Sequence, residues 1–263
     1  MIDVRGHRAL VTGGTQGVGR AIAVALAHAG ADVLVHGLRR DAAAEETRAA
    51  CEAAGVHAGL LEADLSGDAP GAAARLFEAA REALPGIDLL VNNAGSCFEH
   101  QHTFFDVDAD LFARTLQLNV TAPFFLTQQF ARHWRAGDVQ GRVLFTGSIN
   151  GRLAEPNHTA YDTSKGAVEM MVRTLCVALA PHGIRVNGLA PGLVRTPLTA
   201  PALADADFLR WMQLHTPNGE VPDAAVCGEV AVFLLSDAAR HVQGQMLLVD
   251  GGMSIWQQPD RPA

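Results

Sequence analysis

Tyr161 is the only tyrosine in the 263-residue chain, and it stands in the stretch SINGRLAEPNHTAYDTSK between Ser148 and Lys165. On a helix, Tyr161 and Lys165 fall on one face a turn apart, so a cation can meet a phenol. A free phenol titrates near pH 10, too high for a base at neutrality. Lowering it by about three units takes roughly 4 kcal/mol. A unit positive charge about 4 Å away supplies roughly that much at an effective dielectric near 20. The pair therefore reads as a general acid/base, with Lys165 lowering the Tyr161 pKa. Ser148 closes a strand, GRVLFTG, where its hydroxyl could hold a substrate oxygen while Tyr161 exchanges the proton.

The elements around this stretch alternate strand with helix. Ala9 to Thr12 is a short apolar strand that runs into TGGTQGVG, followed at once by a helical pattern with Val18, Ile22, Ala25, Leu26 and Ala29. Strand, glycine turn and helix are the context of a dinucleotide loop. Gly13 permits the turn, Gly17 lets backbone approach a pyrophosphate, and Gly19 lets the helix pack closely, while Thr15, Gln16 and Val18 lie between. The helix start then offers free N–H groups and a positive dipole end to the phosphates.

A second strand, Ala31 to Gly37, ends where a carboxylate would hold the ribose 2′-hydroxyl of NAD. Gly37 stands there instead, followed by Leu38, Arg39 and Arg40, and guanidinium groups suit a 2′-phosphate. This favours NADP over NAD, although Asp41 is close and Gln16 is neutral. Beyond the third strand, Val56 to Ala63, Asp64 beside Leu65 could accept from an adenine amine or cap the next helix, Gly71 to Leu84. The fourth strand, Ile87 to Val91, opens into Asn92, Asn93, Ala94 and Gly95, small and amide residues fit for close approach to a cofactor. Repeated strand–helix alternation indicates a parallel sheet with helices on both faces and a ligand at the strand carboxyl ends.

Asp110 to Arg132 reads as a long helix with Asn119 and Pro123 inside it. Pro123 leaves the Asn119 carbonyl without a helical donor, so that carbonyl could bind water or mark a simple kink. A helix runs from about Thr159 to Leu179, a sixth strand from Ile184 to Leu189. APGLVRT follows, and its Pro191, Gly192, Val194 and Thr196 could grip a nicotinamide carboxamide. An irregular stretch with a short helix near Asp207 to Leu214 reads as a substrate lid, and a last strand, Gln245 to Val249, ends in DGG. The cluster Glu99, His100, Gln101, His102 lacks a further ligand at recognisable spacing and reads as rim loop, so no metal is expected.

Composition narrows the class. Hydrophobic residues make up 49% of the chain, ample for a core, and the net charge of -8 argues against general nucleic-acid binding. The four cysteines show no disulfide or zinc spacing, no apolar run is long enough to span a membrane, and no signal peptide precedes the first strand. A cytoplasmic, reduced, single-domain protein is expected over residues 1–263, with about 253–263 as a C-terminal tail.

In order, TGGTQGVG, NNAG, Asn119 in LNV, Ser148, YDTSK, RVNGLAPG and VDGG resemble the short-chain dehydrogenase/reductase (SDR) family from Ala9 to about Gly252. The resemblance implies an α/β Rossmann-type doubly wound sheet of about seven parallel strands, in a homotetramer. It implies that Tyr161 is the acid/base, that Ser148 orients the substrate oxygen, that Lys165 holds the nicotinamide ribose, and that Asn119 holds a water linking Lys165 to solvent. The reaction would interconvert an alcohol and a ketone, or a sugar hemiacetal and a lactone, with NADP or NAD. Ser96, Asn150, Arg152, Glu155, His158 and the lid residue Trp211 make a polar rim, which points to a sugar or polyol as small-molecule substrate. A 3-oxoacyl thioester reductase is the alternative, and a non-catalytic nucleotide sensor is the remote one.

Overall fold

The computed structural model describes residues 2–98 and 103–256. Its centre is one all-parallel sheet of seven strands in the order β3-β2-β1-β4-β5-β6-β7. The strands are β1 Arg8–Val11, β2 Asp32–Gly37, β3 Ala58–Glu62, β4 Leu89–Asn92, β5 Arg142–Thr146, β6 Arg185–Pro191 and β7 Met246–Val249. Between them run the helices α1 Gly17–His28, α2 Ala42–Glu52, α3 Ala69–Ala83, α4 Ala109–Leu116, α5 Ala122–Ala136, α6 Thr159–Leu179, α7 Ala200–Leu203, α8 Ala206–Leu214 and α9 Ala225–Leu235.

The apolar strand runs are explained by burial on both faces. Leu10 pairs in register with Leu34 and Leu90, and all three enter a core shared with Leu76 of α3, Phe130 and Trp134 of α5, and Val172 of α6. Their strand neighbours Val11, Val35 and Val91 enter the opposite core with Ile22 and Leu26 of α1 and Ala231 and Leu235 of α9. Each such side chain contributes about 1.5–3 kcal/mol by leaving water. The fully buried Trp134 also donates its indole N–H to the Ile87 carbonyl at 2.7 Å. Helices α1 and α9 approach closely because Gly228 has no side chain: a Cβ there would lie 2.7 Å from the Ala21 carbonyl oxygen.

Strand order reverses between β1 and β4, so a crevice opens outside their carboxyl ends. The loops that end β1, β2, β4, β5 and β6 converge there. The long helix expected over Asp110 to Arg132 is present, with a π-helical segment, Gln117–Thr121, joining α4 to α5. Ala122 N–H reaches back to the Gln117 carbonyl, the wide spacing of a π turn, just before Pro123 removes the next donor. The expected kink therefore takes the form of a widened turn, and it carries Asn119 inward, where it is 3% exposed. Asp64 does not cap α3: that role falls to Asp68, whose carboxylate accepts from Gly71 N–H, while Asp64 accepts from Ser66. The lid stretch folds as α7 and α8, α8 being capped by Asp205 through Asp207 and Phe208 N–H. No described helix is long and apolar enough to cross a membrane.

Candidate active site

A cavity of about 520 Å³ fills the crevice. At one end lies the turn between β1 and α1. Gly13 and Gly17 both have positive φ, +60° and +56°, and a Cβ on Gly13 would meet the Ala94 backbone at 2.9 Å. At Gly19 a Cβ would lie 2.1 Å from the Gly13 carbonyl oxygen and 2.3 Å from Asn93 Nδ2, so the helix start packs directly under the turn. Gln16, the residue before α1, makes no side-chain cap and the first turn holds no acidic residue. The first N–H groups of α1 thus face the cavity with a positive helix end behind them. Thr15, Gln16 and Val18 line this wall, Leu38, Asp64 and Leu65 the adjoining one. Ala94, Gly95, Pro191, Gly192, Val194 and Thr196 line the far side.

Three expected cofactor residues stand elsewhere. Asn92 is 5% exposed and donates to Thr127 Oγ1 of α5, away from the cavity. Its neighbour Asn93 takes the place at the crevice, donating from Nδ2 to the Thr12 and Gly13 carbonyls. Strand alternation held the signal: Asn92 shares a face with Leu90, whereas Asn93 falls on the α1 side with Val91. Thr12 adds to the joint, its hydroxyl accepting from Asn93 and Ala94 N–H and donating to the Val91 carbonyl. Arg39 and Arg40 lie outside the cavity wall. The Arg40 guanidinium donates to the Leu60 carbonyl at 2.6 Å and its N–H to Glu62, which ties it to β3. The exposed Arg39 has no such tie among the described residues.

At the other end, Ser148, Tyr161 and Lys165 all line the cavity. Lys165 is 7% exposed, and its Nζ donates to the Thr146 carbonyl at 3.0 Å while lying 5.5 Å from the Tyr161 ring centroid. Burial pushes Lys165 down from 10.5 to about 8. Burial also pushes Tyr161 up to about 12; the hydrogen bond from Ser148 opposes this, and Cys97, Asp162 and Glu155 add to it. The expected lowering of Tyr161 is thus not found, because burial acts in the opposite direction. Desolvation acts on both members of the pair, against the phenolate and against the ammonium. Tyr161 accordingly carries its proton at neutral pH, the state of a donor.

Asn119 closes this end from below. Its Oδ1 accepts from Ser96 N–H, and its Nδ2 donates to the Ser96 carbonyl and Ser164 Oγ. A Cβ on Gly95 would come within 3.1 Å of Asn119 Oδ1 and 3.7 Å of Lys165 Nζ, so the three groups converge. The amide acts as a clamp between the Ser96 backbone and the Ser164 hydroxyl of α6.

The rim is less open than its residue types suggested. Ser96 lines the cavity, but Asn150, His158 and Trp211 do not. The Asn150 amide donates to Glu155 and Asp162 at 2.9 Å each, and its N–H donates to Ser148 Oγ. His158 lies 3.1 Å from Glu155, and Arg152 is paired with Glu169. Trp211, 52% exposed, stacks on Phe208 and His215. Cys97, Phe98 and Leu198 take wall positions that sequence reasoning did not single out. Glu99, His100, Gln101 and His102 lie outside the described residues.

Known proteins resemble the chain over nearly its whole length. The family model described as enoyl-(acyl carrier protein) reductase matches residues 13–254. An L-rhamnose 1-dehydrogenase (NADP(+)) of Thermoplasma acidophilum is 35% identical, over 97% of this chain and 99% of that protein. The chain belongs to the short-chain dehydrogenase/reductase family. Other SDR relatives include a gluconate 5-dehydrogenase of Gluconobacter oxydans, 32% identical over 97% of both chains. A solved gluconate 5-dehydrogenase of Burkholderia cenocepacia, in complex with NADP and tartrate, superposes with a TM-score of 0.89 at 30% identity, covering 97% of this chain and 98% of that one.

The protein is an NAD(P)-dependent oxidoreductase acting on CH–OH groups. The glycine turn fits such a dinucleotide, since a Cβ on Gly13 or Gly19 would collide with the backbone that holds the turn closed and its N–H groups toward the cavity. A dinucleotide held in this cavity would supply the hydride chemistry.

Proposed function

We propose that the chain is a sugar dehydrogenase with a preference for NADP, and that Tyr161, Ser148, Lys165 and Asn119 carry its chemistry. The observation that carries this reading is the meeting of Ser148, Tyr161 and Lys165 on the wall of one cavity whose opposite end is a glycine cradle. Full-length kinship with L-rhamnose 1-dehydrogenase and gluconate 5-dehydrogenase supports a hydroxyl-rich substrate. In reduction, Tyr161 Oη gives its proton to the substrate oxygen; in oxidation it takes the alcohol proton back. Ser148 holds that oxygen, and its bond to the phenol partly offsets the effect of burial on Tyr161. Lys165, anchored on Thr146, places its ammonium toward the ribose and the phenol. Arg39, exposed beside the adenosine end, is the partner for a 2′-phosphate, with Arg40 bracing β3 behind it.

The test is absorbance at 340 nm with purified protein, NADP or NAD, and a panel of aldoses, aldonates and polyols, beside NADPH with 3-oxoacyl thioesters. Sugar-dependent reduction of NADP is expected. Turnover with thioesters alone would contradict the sugar reading, and equal efficiency with NAD would contradict the NADP preference.

A further inference from the structure

Below the glycine turn, the described structure buries a histidine that the reaction does not use. His36, near the end of β2, is 3% exposed and yet lines the cavity. Gly13 N–H donates to its Nδ1 at 3.3 Å, and its Nε2 lies 3.0 Å from the Ala63 carbonyl oxygen. A carbonyl only accepts, so Nε2 carries the hydrogen; a main-chain N–H only donates, so Nδ1 is bare. One neutral tautomer satisfies both bonds, and protonation at Nδ1 would break one. Main chain adds a third tie, from Gly14 N–H to the His36 carbonyl at 2.9 Å.

These bonds join two walls of the same compartment. Gly13 opens the turn that delivers the N–H groups of α1, and Ala63 directly precedes Asp64 and Leu65 on the neighbouring wall. Apart from the sheet ladder, Ala63 N–H to the Gly37 carbonyl is the main-chain bond that ties the end of β3 to β2 here. The imidazole therefore spans from β1 to β3 across β2, on the side of the cavity that Leu38, Asp64 and Leu65 line. An apolar side chain would fill the space, as Leu34 does two residues earlier on the same face, but would leave the Gly13 N–H and the Ala63 carbonyl without this partner.

We infer that His36 is a positioning residue for the dinucleotide, setting the gap between the glycine turn and the end of β3. The inference rests on the reading of this cavity as the cofactor site. Burial pushes His36 down to about 4, so the neutral clamp holds across the neutral range.

The experiment titrates NADPH fluorescence against wild type, His36→Leu, His36→Asn and His36→Gln, with kcat measured at saturating cofactor. Asparagine can place an acceptor near the Nδ1 position, and glutamine a donor near Nε2. His36→Leu is expected to bind NADPH at least about tenfold more weakly, with kcat within about threefold and His36→Asn restoring most of the affinity. Wild-type affinity in His36→Leu, or equal loss of affinity and kcat, would overturn the role. If His36→Leu does not fold, the comparison of the two amides decides. His36→Gln must then bind at least about fivefold more weakly than His36→Asn, and equal affinities would overturn the inference. Failure of wild type to bind NADPH or NADH would instead remove the cofactor reading itself.

Discussion

Replacing Lys165 by methionine should stabilise the protein at pH 7 while removing its activity. Native Lys165 titrates at about 8 against an ordinary 10.5, because burial disfavours the ammonium. At about 1.36 kcal/mol per unit, holding the charge inside costs the folded state about 3 kcal/mol wherever both states are protonated. Methionine lacks the charge but leaves the Thr146 carbonyl without the partner now 3.0 Å away, a loss of about 1–2 kcal/mol. The net expectation is a variant more stable by about 1–2 kcal/mol at pH 7. The sign depends on pH. Between about 8 and 10.5 the unfolded chain binds the proton and the folded one does not, so wild-type stability rises through that window. The advantage of the variant is therefore complete below pH 8 and gone by pH 10.5, where the lost Thr146 bond makes it the weaker protein. Urea unfolding of both proteins without cofactor, at pH 7 and pH 10.5, measures this. A variant less stable at pH 7, or an offset that does not change with pH, would mean that burying the Lys165 charge does not cost the fold.

Other expectations follow from the placements above. Arg39→Ala should raise the KM for NADP about tenfold more than that for NAD, whereas Arg40→Ala should chiefly lower stability by about 1 kcal/mol, through the Leu60 bond. Equal effects of Arg39→Ala on the two cofactors, in initial-rate kinetics, would remove the phosphate assignment. Asn150→Ala should lower kcat by about tenfold with sugar KM within about threefold, because its side-chain amide braces Glu155 and Asp162 rather than the substrate. A rise in KM alone would restore Asn150 to the rim. Trp211→Ala, off the cavity wall, should leave both constants within about twofold in the same assay.

Much of this architecture was legible in the chain because its signals are local. A glycine turn between strand and helix, a Tyr-Lys pair one turn apart, and apolar runs separated by helical patterns each report on a few residues. The helix Thr159–Leu179 has the bounds that its pattern suggested. What escaped depends on neighbours distant in sequence. Asn92 and Asn93 are the same residue type, and only the alternation of β4 between two cores decides which meets the glycine turn. The phenol of Tyr161 looked tractable from the charge of Lys165 alone, but the surrounding protein that buries both sets its direction. The polar rim was read from residue types, and Asn150, Arg152 and His158 proved to be occupied by carboxylates of the loop after β5 and of α6. His36 gave no sign as a lone histidine in an apolar strand, since its two partners arrive from β1 and from the end of β3.

Tyr161 is proposed to move the substrate proton in a cavity that also takes the dinucleotide. The most direct measurement compares wild type with Tyr161→Phe, reading kcat from NADP reduction at 340 nm and the dissociation constant of NADPH from fluorescence. A loss of about 10²–10⁴ in kcat is expected, with NADPH affinity within about threefold. Turnover retained without the phenolic hydroxyl would contradict this role.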